Sequence, residues 1–558
     1  MRTVRIVFAS LMFAAATWAL GGTAATTSPR FYADDPIPRD GDSQDASRAA
    51  RSDMGDLYEM VVNLFDHPGY HPSGLHAQNV NTIDEVPDSS WFTNRIGAKT
   101  LSIDEVVRGP NVGKPPDPSK WIVFRQKIAG VHPGVTARDA SGDTWFLEFD
   151  PDYYPEAATG AVVMATKFFW ALGYNQVESF LTTFDPRRVE FDPEATVRRP
   201  NGKRTLFTRS DLDELLEPVA RRPDGAYRVI AGRLLPGKII GNFRFEGTRP
   251  DDPNDLVPHE LRRELRALRV FGAWTNLTDL KSANTLDSLV TENGRTVVKH
   301  WLQDVGSTFG MNNDLHEWDL GWEHFYQANT TMKRLLSFGF ALSPWQKVRY
   351  VEGPSIGKFD GDRFDPRTWR PQTPTTAYME LRDDDAFWAA QRIGAFSGEM
   401  IRAIVHTGEF SDPAAEQALG DIMIKRRDTI VRTYLPAVNP IVAPRLDDDK
   451  GLSFDNAAVN ADVAHAPDSY RAAWFEFDNA TGVARPLAHT RSALTTIEAP
   501  AGLPRSMGTY VEVEITAEAK DYPTWLQPVR AYFRREARGW KLVGLERMAD
   551  GPQKNQKG

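Results

Sequence analysis

Between residues 258 and 306 the chain carries the run that most restricts what it can fold into. Leu261, Leu265, Leu268 and Gly272 fall at helical spacing with arginines on the opposite face, which predicts a helix over 258–276. Thr285 to Val290 and Arg295 to Gln303 then alternate like strands, and Asn293-Gly294 lies between them. Asn-Gly between two such runs is the strongest short-range hairpin signal. A helix, a loop and a hairpin in so short a span hold the helix end, the loop and the outgoing strand close together.

The polar residues on this frame have a recognisable spacing. Asp279, Lys281 and Asn284 lie in the loop, and Asp304-Val305-Gly306 follows the second strand. Asp-x-x-x-x-Asn, a hairpin and then Asp-x-Gly is the plan of a phosphoryl-transfer site. A hydroxyl acceptor needs a carboxylate to orient it and take its proton, a role for Asp279. Magnesium needs hard oxygen ligands, here the Asn284 amide and the Asp304 carboxylate. Lys281 stands where it can hold the transferring group. Each residue also has a structural reading: Asp279 capping a turn, Asn284 satisfying backbone groups, Asp304 beside a tight Gly306 turn.

Upstream, Trp121 to Ile128, a second run ending at Asp139, and Thr144 to Phe149 read as three antiparallel strands, the first turn spanning Ala129 to Gly134. A helix follows, with Pro155 at its first position, Glu156 in its first turn, an apolar face through Val162, Phe169 and Leu172, and Gly173 at its end. Strands are expected near Val177 to Phe184 and Tyr227 to Leu235. Backbone N–H groups at Gly130 and Gly134 suit a phosphate, and a plain β-turn accounts for them equally.

The chain resembles a family of exported bacterial proteins through Val86-Pro87-Asp88-Ser89-Ser90-Trp91-Phe92-Thr93-Asn94-Arg95, Asp251-Asp252-Pro253-Asn254-Asp255, Arg269-Val270-Phe271 with Trp274, and Asp304-Val305-Gly306-Ser307-Thr308. That likeness spans nearly the whole chain and implies export but no activity. More distantly, residues 120–435 resemble atypical kinases of the HipA and spore-coat CotH type, which share an Asp…Asn…Asp site. The resemblance implies an α+β fold: a bilobal protein kinase-like core with a β-rich N-lobe and a helical C-lobe, an N-terminal extension and a small C-terminal β-rich domain. It also implies ATP and Mg2+ or Mn2+ as cofactors, and an acceptor that is a protein or a small molecule. Kinases carry a lysine on the third strand, paired with a glutamate of the next helix, and here that strand holds Glu148. Glu156 suits the helix glutamate, with Lys127, Arg233 or Lys238 as its partner. Both an active phosphotransferase and a non-catalytic, pseudokinase-like binding protein fit this departure.

The remaining features set the context. Met1 to Arg5 is basic, Ile6 to Leu20 is apolar, and small residues follow at Gly22 to Ala25, the pattern of a secretory signal over residues 1–25. It places the protein in the periplasm or outside the cell. No cysteine is present, which excludes disulfides, thiolate metal sites and a cysteine nucleophile. The net charge of −9, which becomes −11 once Arg2 and Arg5 leave with the signal, argues against a nucleic-acid partner. Residues 26–118 read as an extension wrapped on the core, with one amphipathic helix near 54–65 and an aromatic docking segment at Trp91-Phe92. Residues 119–250 and 251–440 form the two lobes. Two long helices are expected at 384–407 and 412–433, a linker at 439–450, and a β-rich domain over 441–558. His259-Glu260 and His300 lack the His-Glu-x-x-His spacing of a metalloprotease, and Ser307-Thr308 lacks a nucleophile elbow.

Overall fold

Three antiparallel strands lie at the centre of a larger sheet than the sequence predicts. The computed structural model describes residues 28–66, 71–127, 132–199, 201–311, 320–325, 328–338, 340, 343–351, 353 and 355–548. The signal segment and Gly130 fall outside them. β1 (Trp121–Gln126), β2 (Gly134–Arg138) and β3 (Thr144–Phe149) pair antiparallel. After α1 (Ala157–Leu172), β4 (Ser179–Phe184), β5 (Val189–Arg198), β6 (Arg204–Leu206) and β7 (Tyr227–Arg233) complete seven strands in the order β4-β7-β3-β2-β1-β5-β6. β5 lies parallel to β1. On one face Trp121, Trp145, Phe149 and Phe184 pack with Leu212 and Leu215 of the helix Arg209–Leu216.

α1 starts at Ala157, later than expected, because Glu156 is held in the left-handed conformation (φ 72) and caps the helix instead of entering it. The helix ends at Gly173 (φ 124), where the Phe92 ring occupies the space a Cβ would need. Phe92 is fully buried and Trp91 nearly so, as expected of a docking segment. Burying a ring of that size contributes roughly 1.5–3 kcal/mol.

β8 (Lys238–Ile239) joins the predicted hairpin, β9 (Leu286–Glu292) and β10 (Arg295–Trp301), in a three-stranded sheet. The helix expected over 258–276 is a 3-10 turn at His259–Leu261 followed by α2 (Arg263–Thr275). Downstream come α3 (Ala328–Leu336), α4 (Asp383–Gly394), α5 (Gly398–His406) and α6 (Pro413–Tyr434). The predicted 384–407 helix is thus two helices. Ser397 accepts a hydrogen bond from the Met400 N–H and so starts a second one.

The expected linker is also ordered: β11 (Ile441–Asp447) pairs with β12 (Gly451–Asn456), and a bulge at Ala443-Pro444 breaks the alternation that would have revealed it. β13 (Ser469–Asp478), β14 (Val483–Ser492), β15 (Thr496–Ile497), β16 (Tyr510–Glu518), β17 (Val529–Glu536) and β18 (Gly539–Glu546) follow, five of them in the sheet β14-β13-β16-β17-β18. One apolar core runs from α1 and α2 through α4, α5 and α6 into this sheet. Among the described residues no helix is long and apolar enough to cross a membrane.

A buried ionic cluster joins the early segment to this core. Arg263 and Arg266 are fully buried, and Asp385 bonds both, at 3.0 and 3.1 Å. Asp84 lies 2.8 Å from Arg263, and His76 Nε2 lies 3.2 Å from Asp84 and 3.1 Å from Asp384. Burial works against a charged His76, but the carboxylates of Asp384 and Asp84 outweigh it and push the imidazole up to about 10. A pKa raised above the unfolded value of 6.5 stabilises the fold fully below that pH, and the contribution is lost as pH rises through about 10. The melting temperature is therefore expected to fall between pH 6.5 and 10. In His76→Gln it should be lower at pH 6 and decline less over the same window, as thermal denaturation across a pH series would show.

Candidate functional site

The loop after α2 begins with a forced turn. Asn276 takes up the left-handed conformation (φ 60, ψ 40), which asparagine tolerates, and its Oδ1 accepts a hydrogen bond from Trp369 Nε1 at 2.9 Å. The next residues are stretched between two anchors, with the Thr278 N–H donating to Ser307 O (3.1 Å) and Thr278 O accepting from the Gln372 N–H (2.8 Å). Asp279 follows, half-buried, its carboxylate 3.1 Å from Lys281 Nζ. A 3-10 turn at Ser282–Asn284 then turns the chain into β9.

Asn284 is the hub. Its Nδ2 donates to the Asp279 carbonyl at 2.7 Å, and its own carbonyl accepts from the Asp304 N–H at 3.0 Å. The first bond uses the amide nitrogen and leaves Oδ1 for a ligand. The outgoing strand reaches Asp304 because Leu302 is held on both sides, its N–H donating to Asn175 O (3.3 Å) and its carbonyl accepting from Gln176 Nε2 (2.7 Å). The Gly306 N–H then donates to Asp304 Oδ1 at 3.1 Å. A Cβ on Gly306 would press on Val162 of α1 at 3.1 Å, so the Asp-x-Gly turn lies directly against that helix.

Asp304 is exposed on the surface between the end of the hairpin and α1, with neighbouring protein crowding its carboxyl. Desolvation is the main reason its carboxyl stands above the usual range. The negative charges of Glu148 and Asp279 add to this, and the Gly306 N–H and Lys127 oppose it. Such a surplus of negative charge fits a bound divalent cation. Two protein oxygens, from Asn284 and Asp304, match magnesium's habit of taking few protein ligands and completing its shell with water and phosphate. Among the described residues, no group of three or more His, Asp or Glu side chains is gathered to hold a metal by itself.

Lys127 and Glu148 both act on the Asp304 carboxyl through their charges. Lys127 Nζ lies 2.8 Å from Glu148 Oε1. The contact depends on Gly134, where a Cβ would meet Leu147 O at 2.6 Å and Lys127 Cδ at 3.0 Å, so the lysine stem lies over a bare backbone. His132 is the neighbour of this pair, held below its usual range first by burial and then by Lys127, against the pull of Glu148.

The other expected residues lie elsewhere. Glu156 accepts hydrogen bonds from the Ser411 N–H (2.8 Å) and hydroxyl (3.0 Å) and from Ser355 (3.3 Å). Arg233 pairs with Glu178 (2.6 Å) and Asp143 (3.1 Å). Lys238 is exposed on β8, opposite Leu289. His259 and His300 each hold a carboxylate of their own, Asp255 and Asp287, both at 2.7 Å, with the Trp91 ring stacked 3.5 Å from His300.

One site neighbour has no trace in the local sequence. Glu59, from the short helix Tyr58–Val61, is buried and accepts hydrogen bonds from the Ser282 N–H (2.7 Å) and hydroxyl. Asp56 lies 3.5 Å from Lys281. Burial raises the Glu59 carboxyl, against Ser282 and the charge of Lys281. Burial likewise opposes the charge of Lys281, but Asp279 and then Asp56 overcome it and hold its proton above the ordinary range.

No family model matches this chain, and no curated protein does. The solved structures similar to it include two of one kinase. The crystal structure of the Golgi casein kinase is 10% identical over 71% of this chain and 94% of its own, with a TM-score of 0.28. The Golgi casein kinase with Mn/ADP bound is 10% identical over 72% of this chain and 97% of its own, with a TM-score of 0.27. Both are structures of a kinase, the class the sequence resembles.

Proposed function

We propose that the protein is an exported, Mg2+ (or Mn2+) and ATP dependent phosphotransferase acting on a hydroxyl of a protein or small-molecule acceptor. The observation that carries this reading is Asn284, bonded through its side chain to the backbone of Asp279 and through its backbone to Asp304. A residue so placed couples the group that handles the acceptor to the group that handles the metal. Asp279 orients the acceptor hydroxyl and takes its proton. Asn284 Oδ1 and the Asp304 carboxylate would hold the divalent ion, which when bound neutralises charge on the nucleotide phosphates. Lys281 stands beside Asp279 at the acceptor side. Lys127, just past the end of β1, supplies the cation that the third strand lacks, and Glu148 steadies it in place of Glu156.

A non-catalytic binding protein is the second reading, and a specific observation favours it: Glu148, an acid, bears on Asp304 where a phosphate-binding cation is expected. Thermal denaturation of the full chain with and without ATP and magnesium or manganese separates the two. A nucleotide complex at about 100 times its Kd stabilises by about 2.7 kcal/mol, so a clear rise in Tm that needs both metal and nucleotide is the expected result. An unchanged Tm supports the binding protein.

A further inference from the structure

We propose that the surface formed by α3 and the turn after it docks on an anionic lipid bilayer. Met332, Leu335 and Leu336 lie at i, i+3 and i+4 of α3, on one face, and all three are exposed. The turn that follows the helix adds two more exposed apolar side chains. The Phe338 N–H donates to Leu335 O and the Phe340 N–H to Ser337 O, and the two rings are 90% and 88% exposed. Phe338 sits at φ 50, a conformation that costs a bulky residue free energy, and displays its ring outward all the same. Arg334 ties the helix to the segments on either side of it through Glu323 (2.9 Å) and Ser343 (3.0 Å).

Charge selects the occupant. Residues 325–351 hold Lys333, Arg334, Lys347 and Arg349 and not one Asp or Glu, in a chain whose net charge is −9. Lys333, Lys347 and Arg349 are exposed. A second copy would bring the same cations against each other. Aromatic and aliphatic side chains projecting beside lysine and arginine are the composition of an element that lies in a lipid interface. Cations near an anionic leaflet add about a fivefold gain in affinity each. The segment follows the Asp304-Val305-Gly306 turn in sequence, but lipid contact needs none of the phosphoryl chemistry, and each idea can fail alone.

The test is co-sedimentation of the full chain with vesicles of phosphatidylcholine alone and with roughly a third phosphatidylglycerol. The expected result is capture by the anionic vesicles, weakened by salt. Phe338→Ser with Phe340→Ser should lower partitioning about tenfold or more. Lys333→Glu with Lys347→Glu should lower it to the level of the neutral vesicles. These side chains are exposed, so an unchanged Tm verifies that each variant folds. Three outcomes overturn the proposal: no capture by anionic vesicles, capture that both double variants retain, or loss of self-association in the phenylalanine variant without loss of vesicle capture.

Discussion

Asp304→Ala is expected to abolish the metal- and nucleotide-dependent rise in Tm together with any phosphate transfer, while Asp279→Ala keeps the rise and loses the transfer. The separation follows from position. Asp304 follows the hairpin, its carboxyl already held up by desolvation and by neighbouring acids, so its removal takes away one of two oxygens proposed for the cation. Asp279 stands across Asn284 from it, beside Lys281, with no part in that pair of ligands. Losing a positioned general base costs about 10²- to 10⁴-fold in rate. Calorimetric titration of metal-nucleotide and a phosphate-release or transfer assay on the two variants would show the split. Two variants that bind and react like the parent would end the assignment of both residues.

Asp385→Ala is expected to be the most damaging single substitution in the chain. Its two carboxylate oxygens bond Arg263 and Arg266, and all three side chains are fully buried. Alanine leaves two guanidinium groups without that counter-charge where water cannot reach them. Removing one partner of a buried ion pair costs about 3–5 kcal/mol, a large part of the stability of an ordinary domain. Urea denaturation should show the midpoint falling by that equivalent, or no folded protein at all. A loss under about 1 kcal/mol, the value of an exposed pair, would mean that the cluster is solvated.

Much of the frame around the site was legible in the sequence because its signals are local. Asn293-Gly294 sets the hairpin, and the hairpin brings Asp304 back beside Asn284. Other elements were hidden for identifiable reasons. β14 is an edge strand with no buried side chain and a proline at 486, so it has no apolar alternation to read. β11 was hidden by its bulge and by the acidic run that follows it. The 384–407 helix looked continuous because apolar spacing persists across Ala395 and Phe396, and only the Ser397 cap divides it. Glu59 could not be found at all. Its partner Ser282 is 223 positions away, and nothing near a lone glutamate on a short helix announces such a contact.

The early segment also meets the far end of the chain. Phe31 is packed among Phe477, Tyr510 and Tyr532, its N–H donates to Asn479 Oδ1 at 2.8 Å, and Arg30 pairs with Glu546. Contacts of such sequence separation form late and slow folding. During synthesis Arg30 and Phe31 emerge early and must wait for strands made last. A nascent product that stops before β17 therefore lacks Tyr532 and Glu546, part of the seat of Phe31 and Arg30, and the chain closes on itself only after those strands are made.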